Sequence, residues 1–181
     1  KDLARQKLWA PWRMEYIRAA AKDKAPRTKD KGQGPRSRGC LFCTLKRSSD
    51  DEADLILHRG KLGFVVMNRY PYNNGHLMVC PFRHIADPAD LNAGERLEMM
   101  NLVDDTVQAL RGLMRPEGFN VGMNLGKTAG AGLEEHIHMH VVPRWDGDTS
   151  FMPVLSDTRV VPQSLLSLWD ELHPLLQRDK T

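Results

Sequence analysis

Three histidines stand at every second position in the stretch EEHIHMHVVPRW. Because successive side chains of a β-strand point to opposite faces, a strand here would place His136, His138 and His140 on one face. Ile137 and Met139 would then point to the other face and pack against a core. Imidazole is a good nucleophile and proton carrier near neutral pH, so the row indicates a surface that does chemistry.

The spacing of the three rings favours an extended anionic ligand over a single metal ion. Neighbouring rings on a strand are roughly 7 Å apart and the outer two roughly 13 Å. One zinc ion cannot bind all three, because Zn–N bonds are about 2.0–2.1 Å long. The loop before the row, GKTAGAG, contains Gly126, Gly130 and Gly132, which permit backbone N–H groups to turn toward an anion. A polyphosphate chain fits both features.

Two of the three cysteines form the pair Cys40-Leu-Phe-Cys43. In a reducing compartment such a pair more often holds a metal or does redox work than forms part of a disulfide framework. Two thiolates need two further ligands to complete a tetrahedral zinc site. A redox pair, an empty site and a site completed by Cys80 are the alternatives.

Length and composition indicate a globular protein with one main domain. The 181 residues are 41% hydrophobic and 27% charged, which is ordinary for a soluble domain with its own core. No apolar run approaches the roughly 18 residues of a membrane helix, and the N-terminus lacks the pattern of a secretory signal. We therefore expect a cytoplasmic protein with no membrane partner.

Charge is unevenly distributed along the chain. Residues 1–47 carry 14 Lys and Arg against 4 Asp and Glu, whereas the remainder carries 12 against 19. We expect residues 18–39 to be a basic, flexible insertion, because they contain too little apolar surface to offset the entropy of ordering. An arm at residues 18–38 that binds nucleic acid or another acidic partner is the alternative, and it is disfavoured because groups that stack on bases are missing there.

An aromatic segment precedes that insertion. Residues 1–17 contain Trp9, Trp12 and Tyr16, and an aromatic cluster of this kind must dock on a surface. We expect the segment to pack on the body of the protein or on a partner subunit, and residues 40–181 to form the catalytic domain.

Hydrophobic periodicity predicts an α+β domain around an antiparallel sheet. DLILHRG, KLGFVVMN, HLMVCP, FNVGMN and HIHMHVVP have strand patterns, and RYPYNNG has the composition of a turn. Asn92 and Glu95 have the spacing of a capping box at the start of a helix. A second helix is predicted near residues 162–173. The predicted buried face of the first helix holds Leu97, Met100, Val103, Val107, Leu110 and Met114.

At the histidine row the chain resembles the histidine triad (HIT) family, whose signature His-φ-His-φ-His-φ-φ is met by residues 136–142. FVVMNRYPYNNGHLMVCPFRH resembles the family's first nucleotide-binding hairpin, and NVGMNLGKTAGAG its second strand and phosphate loop. APWR, CLFC and PRW resemble the bacterial branch that includes diadenosine tetraphosphate phosphorylases. The resemblance extends to the fragile-histidine-triad type of hydrolase, and it covers most of residues 8–173. It implies a HIT-like fold, with about five strands and two main helices, paired into a continuous sheet in a homodimer.

The resemblance implies roles for individual residues. His138 would attack the α-phosphorus of a nucleotide while a backbone carbonyl holds its second nitrogen, and His140 would stabilise charge on the phosphate oxygens. Asn68 would bind the ribose hydroxyls, and His76 would line the nucleotide pocket. Turn-forming or solvent-capping roles are the alternatives for these two residues. Phosphate or base contacts are implied for Asn124, Gly130, Ala131, Gly132 and Trp145; Asn124 has a turn role, and Trp145 a core-capping role, as the alternative.

A structural zinc ion is implied at Cys40, Cys43, His84 and His136, so that His136 belongs to both the triad and the metal site. Many family members carry a Ser or Gln shortly before the triad, where this chain has Ala131 and Gly132. Without that side chain, water and inorganic phosphate both remain possible acceptors. Glu134 and Glu135 are expected to be solvated, with orientation of the acceptor as the alternative.

These features predict a nucleotide-binding enzyme that cleaves dinucleoside polyphosphates by phosphorolysis or hydrolysis through a nucleotidyl-histidine. Hydrolysis of nucleoside phosphoramidates is the alternative within enzymes. A zinc-stabilised module that binds nucleotide or RNA is the alternative outside them. The intact triad favours an enzyme, whereas the basic segment is the feature that favours a nucleic-acid partner.

Overall fold

The computed structural model describes residues 39–148 and 162–177. The aromatic segment and the basic insertion predicted for residues 1–38 lie outside the described residues. Within the described part of the chain, no helix has the length and apolar character needed to span a bilayer.

A five-stranded antiparallel sheet forms the centre of the fold. Its strands are β1 (Ile56–Arg59), β2 (Gly63–Met67), β3 (Leu77–Pro81), β4 (Gly118–Gly122) and β5 (Met139–Arg144), in the order β1-β2-β3-β5-β4. In the described part of the chain, three α-helices accompany it: α1 (Leu41–Arg47), α2 (Ala93–Met114) and α3 (Leu165–Leu176), with a short 3-10 helix at Pro88–Asp90. The predicted α+β class and strand number are confirmed, and α1 is a helix that the periodicity did not predict.

The sheet separates two groups of buried side chains. Alternate residues of β2 and β3, such as Val65 and Val79, join Leu110 of α2 and Leu172 of α3 in the larger core. The intervening residues point to the other face and pack with α1; this smaller cluster contains Phe42, Leu45, Ile56, Phe64, Val66, Met78 and Cys80. Because strand side chains alternate, the same two strands serve both faces.

Helix α2 begins as its sequence predicts, with a capping box in which the Asn92 side chain accepts from the Glu95 N–H and Glu95 accepts from the Asn92 N–H, each at 2.9 Å. Glu95 also pairs with Arg83 at 2.7 Å, and the hydrogen bonds from this guanidinium hold the pKa of the Glu95 carboxyl below its usual value. Arg83 thereby ties the loop after β3 to the start of α2.

The predicted buried face of α2 is wrong over its first turns. Leu97 and Met100 are 64% and 48% exposed, whereas Met99 and Leu102 are buried. The inward face begins with Glu95, which is only 4% exposed because it caps the helix and pairs with Arg83. A helical pattern built from apolar residues alone cannot predict that a carboxylate lies on the buried face of the helix.

The turn between β2 and β3 requires a glycine. Gly75 has φ +75°, and a Cβ there would lie 2.9 Å from Met114 Sδ and 3.1 Å from Pro143 Cγ. The turn is closed by the Asn68 N–H, which donates to the His76 carbonyl at 3.0 Å. It therefore places Asn68 and His76 side by side at the end of the hairpin.

Candidate active site and metal centre

The three histidines of the row share one face, as predicted. Ile137 and Val141 point into the larger core. The rings of His138 and His140 lie on the opposite side with their centroids 4.8 Å apart. This centroid separation is shorter than the backbone repeat of roughly 7 Å. The two ring planes are inclined at 73° to each other, so the rings meet edge to face.

Strand β5 starts later than the sequence pattern predicts, at Met139 rather than His136. The Ile137 N–H donates to the Ile85 carbonyl in the loop beyond β3, at 2.8 Å, so this part of the chain follows that loop. Strand β3 ends at Pro81, whose carbonyl accepts from His136 Nε2 at 2.8 Å. His136 and His138 are therefore fixed by individual hydrogen bonds just before the ladder begins.

His138 is held in one orientation by its own backbone neighbourhood. Its Nδ1–H donates to the His136 carbonyl at 3.0 Å, which leaves the lone pair on Nε2. The side chain is 7% exposed, and burial lowers the pKa of His138 below its usual value. A neutral imidazole with an accessible Nε2 lone pair is the form that a nucleophile requires.

A chain of hydrogen bonds fixes the tautomer of His140. The Tyr72 N–H donates to His76 Nδ1 at 3.0 Å, so the proton of neutral His76 must be on Nε2. His76 Nε2 then donates to His140 Nδ1 at 2.9 Å. Neutral His140 consequently carries its proton on Nε2. His76 is 2% exposed and acts through its hydrogen bond to the His140 ring.

Asn68 contributes to the same network. Its Oδ1 accepts from the Tyr70 N–H at 2.9 Å, and its Nδ2 lies 3.3 Å from His76 Nδ1. The side chain also lines the pocket described below. Asn68 therefore makes the turn contact that the sequence left open as its alternative role. If Asn68 also binds ribose, it would use the donors and acceptors of its amide that these contacts do not occupy.

The glycine-rich loop closes partly on itself. Gly126 and Gly130 have φ of +77° and +89°. The Gly130 N–H donates to the Lys127 carbonyl at 2.9 Å, and the Ala131 N–H to the Gly126 carbonyl at 3.2 Å. Asn124 Nδ2 donates to the Gly130 carbonyl at 3.5 Å, so Asn124 steadies this loop. Because the Gly130 and Ala131 N–H groups already donate within the loop, an anion bound here in this conformation would need other donors.

A cavity of about 180 Å³ opens over His138 and His140. One wall is apolar and comes largely from α1, through Leu41, Phe42 and Leu45. The sequence did not reveal this wall, because seven residues are too few for a helical period. The other residues that line the cavity are Asp54, Val66, Met67, Asn68, Arg69, Tyr70, Tyr72, Met78, Gly130, Gly132 and Leu133.

The predicted ligand residues differ in their relation to this cavity. Gly130 and Gly132 line it, whereas Ala131, Asn124 and Trp145 are not among its lining residues. The Trp145 N–H donates to Asp148 in the turn after β5. The roles inferred for these residues from the sequence stay predictions.

The predicted metal ligands lie together on the α1 side of the sheet. One donor atom from each of Cys40, Cys43, His84 and His136 falls within 4.8 Å of the others. The Sγ–Nδ1 distances are 3.4 Å for Cys40–His136, 3.3 Å for Cys43–His84 and 3.6 Å for Cys43–His136. Zn–S bonds of about 2.3 Å and Zn–N bonds of about 2.0 Å at tetrahedral angles imply a separation of about 3.5 Å. Cys80 lies outside this group.

The protonation of this cluster also fits a metal ion. His136 donates from Nε2 to Pro81, so its Nδ1 lone pair faces the sulfurs. Burial lowers the pKa of His136 to about 4, which keeps the ring neutral. Burial raises the pKa of the Cys40 thiol to about 11, so a cation is needed to stabilise the thiolate there.

The fold and the site together define an α+β protein with a histidine row beneath a pocket and a Cys₂His₂ cluster beside it. The family profile of the HIT domain matches residues 50–147. The chain is 41% identical over 160 residues to the AP-4-A phosphorylase of Mycobacterium tuberculosis, with 88% of this chain and 78% of that protein covered. This chain belongs to the HIT family, as its sequence predicts.

Two further similarities bear on the site. Over 95 residues the chain is 28% identical to the asymmetrical bis(5'-nucleosyl)-tetraphosphatase of Schizosaccharomyces pombe, with 52% of each chain covered. The crystal structure of a Zn-bound histidine triad family protein from Mycobacterium smegmatis matches with a TM-score of 0.62 and 25% identity, covering 78% of this chain and 95% of that one. The prediction that the chain is an enzyme of this family is confirmed by the enzymes among its relatives.

The hydrogen-bond chain through His76 leads to a prediction about His140. In His76→Phe, His140 Nδ1 loses its donor, so we expect both His140 tautomers to be populated. Nitrogen-15 NMR of the imidazoles should show the two His140 ring shifts moving toward each other. His173→Gln, a change on α3, should leave them as in the wild type. An unchanged single tautomer in His76→Phe would mean that His76 does not position His140.

Proposed function

We propose that this protein cleaves dinucleoside polyphosphates through a covalent nucleotidyl-His138 intermediate. The observation that carries the proposal is the state of His138, which is neutral, has its lone pair on Nε2 and lines the pocket beside His140. The similarity to an AP-4-A phosphorylase supports diadenosine tetraphosphate as the substrate class.

The reaction follows from the two tautomers. His138 Nε2 donates its lone pair to the α-phosphorus, a P–N bond forms, and the bond from phosphorus to the bridging oxygen breaks. With diadenosine tetraphosphate the leaving group is ATP. The Nε2–H of His140 donates to a phosphate oxygen as negative charge builds up in the five-coordinate transition state. In the second half, an acceptor oxygen attacks the same phosphorus and the P–N bond breaks, which returns the pair of electrons to His138.

The acceptor determines the second product. Inorganic phosphate gives ADP and water gives AMP. Ala131 and Gly132 provide no side-chain hydroxyl near the row, and Glu134 and Glu135 are exposed and do not line the cavity. The residues near the row therefore do not select between water and inorganic phosphate, and the acceptor that binds better determines the second product.

Product identification tests the proposed reaction. Diadenosine tetraphosphate is incubated with the protein, with and without inorganic phosphate, and the nucleotides are separated by chromatography. We expect ATP in every productive reaction, accompanied by ADP when phosphate is the acceptor and by AMP when water is. Rapid turnover of an AMP phosphoramidate with neither product pair would favour the alternative enzyme activity instead.

Removal of the nucleophile tests the mechanism. His138→Ala should reduce turnover by a factor of at least about 10³, since the covalent step loses its attacking atom. AMP affinity should change far less, because the walls of the pocket are retained. His173→Ala on α3 serves as the control histidine and should keep wild-type turnover. Nucleotide trapped on another residue, with His138 unmodified, would refute the assignment.

We also propose that the metal held by Cys40, Cys43, His84 and His136 is zinc. Two thiolates and two imidazoles form the tetrahedral donor set that zinc prefers, and the S–N separations fit its bond lengths. A structural zinc would hold the chain around the site in place. Protein purified without chelator should contain about one zinc per chain, and Cys43→Ser should lose most of it. Wild-type protein free of zinc under these conditions would contradict the assignment.

A homodimer that shares a continuous sheet stays a prediction. Strand β4 forms one edge of the described sheet, and its outer residues from Asn120 to Gly122 are exposed. Val121 on this edge is 46% exposed. An exposed edge strand is the surface through which two such sheets would join.

A further inference from the structure

Helix α1 belongs to the metal centre and to the nucleotide pocket at once. Cys40 is its N-cap residue and Cys43 lies in its first turn. Between and beyond the two thiols, Leu41, Phe42 and Leu45 form the apolar wall of the pocket. A change in the position of this seven-residue helix therefore alters both sites.

Phe42 touches both sites, which also meet where the His136 carbonyl accepts from His138 Nδ1. Phe42 is 1% exposed, and its ring centroid lies 5.0 Å from that of His138 and 5.3 Å from that of His136. On its other side it meets Phe64 of β2 edge to face at 6.3 Å. Its ring thus fills the space between a metal ligand, the nucleophile and the sheet.

The helix has few means of its own to stay in place. Isolated helices shorter than about 12–15 residues are marginal in water. Cys40 makes no side-chain capping hydrogen bond, and the first turn has no acidic residue. The C-terminal end is fixed by Arg59, which donates to the Leu45 and Ser48 carbonyls at 3.0 Å. The N-terminal end carries the two thiols and the buried Phe42, so a metal ion bound by the thiols would add a second anchor to the packing of that ring.

We propose that metal binding and nucleotide binding are thermodynamically coupled through α1, with Phe42 as the positioning residue. The proposal rests on the nucleotide pocket and the zinc site proposed above. Zinc fixes the N-terminal end of α1, which orders the pocket wall before the base arrives. Because coupling is reciprocal, bound nucleotide must raise zinc affinity by the same factor by which zinc raises nucleotide affinity. We expect a factor of at least about 5, the lower end of typical coupling.

Binding measurements without turnover test the coupling. The Kd of AMP is measured by calorimetry for the zinc-loaded and the zinc-free protein. The Kd of zinc is measured by chelator competition with and without AMP. Both ratios should agree at about 5 or more. In Phe42→Leu, which keeps zinc stoichiometry, both ratios should fall toward one, whereas mere loss of a wall contact would weaken AMP binding equally in both metal states. Leu166→Ala, an exposed change on α3, should keep the wild-type ratios.

The outcomes separate this proposal from those on which it rests. Zinc-loaded protein that fails to bind AMP would refute the nucleotide pocket. Protein that binds AMP equally well with and without zinc would refute the coupling alone. If circular dichroism shows that the zinc-free chain is unfolded, cobalt replaces zinc and reports its own ligand geometry by absorption. AMP should then change the cobalt spectrum in the wild type and less in Phe42→Leu, and an unchanged wild-type spectrum would overturn the proposal.

Discussion

The backbone and side chain of His136 connect the histidine row, the end of β3 and the Cys₂His₂ cluster. Its carbonyl accepts from His138 Nδ1 and so decides which nitrogen of His138 carries the lone pair. Its ring donates from Nε2 to Pro81 at the end of β3, which turns Nδ1 toward Cys40 and Cys43. One residue thus fixes the orientation of the His138 ring relative to both the sheet and the Cys₂His₂ cluster.

Burial explains why these hydrogen bonds are decisive. His136 and His138 are nearly enclosed, and both have lowered pKa values because a buried imidazolium is poorly solvated. Each ring is therefore neutral and has one donor and one acceptor nitrogen. In a neutral ring a single hydrogen bond selects the tautomer, and at His140 that bond comes from the side-chain Nε2 of His76. The chemistry of the row is thus decided by its neighbours as well as by its own residues.

Much of this arrangement could be predicted from the sequence, because strand alternation and ligand chemistry are local rules. The shared face of the histidine row, the capping box at Asn92 and the gathering of the metal ligands follow from residue types and spacing, or from the family resemblance. The face of α2 could not be predicted, since it depends on the pairing of Glu95 with Arg83 in the preceding loop, a contact that helical periodicity does not encode. Helix α1 is too short to show a period, and its position depends on contacts distant in sequence.

The two faces of the sheet differ in how their elements are held. Among the residues that the structure describes, the larger core gathers 17 buried apolar residues, whereas the cluster on the α1 side has 7. Hydrophobic stabilisation grows with the apolar area removed from water, so the smaller cluster is less able to fix a short helix. Burial raises the pKa of the Cys40 thiol, so a metal ion bound there would have to displace the thiol proton. Under the coupling proposed above, the face that carries the pocket would take from metal binding part of the order that the opposite face obtains from packing.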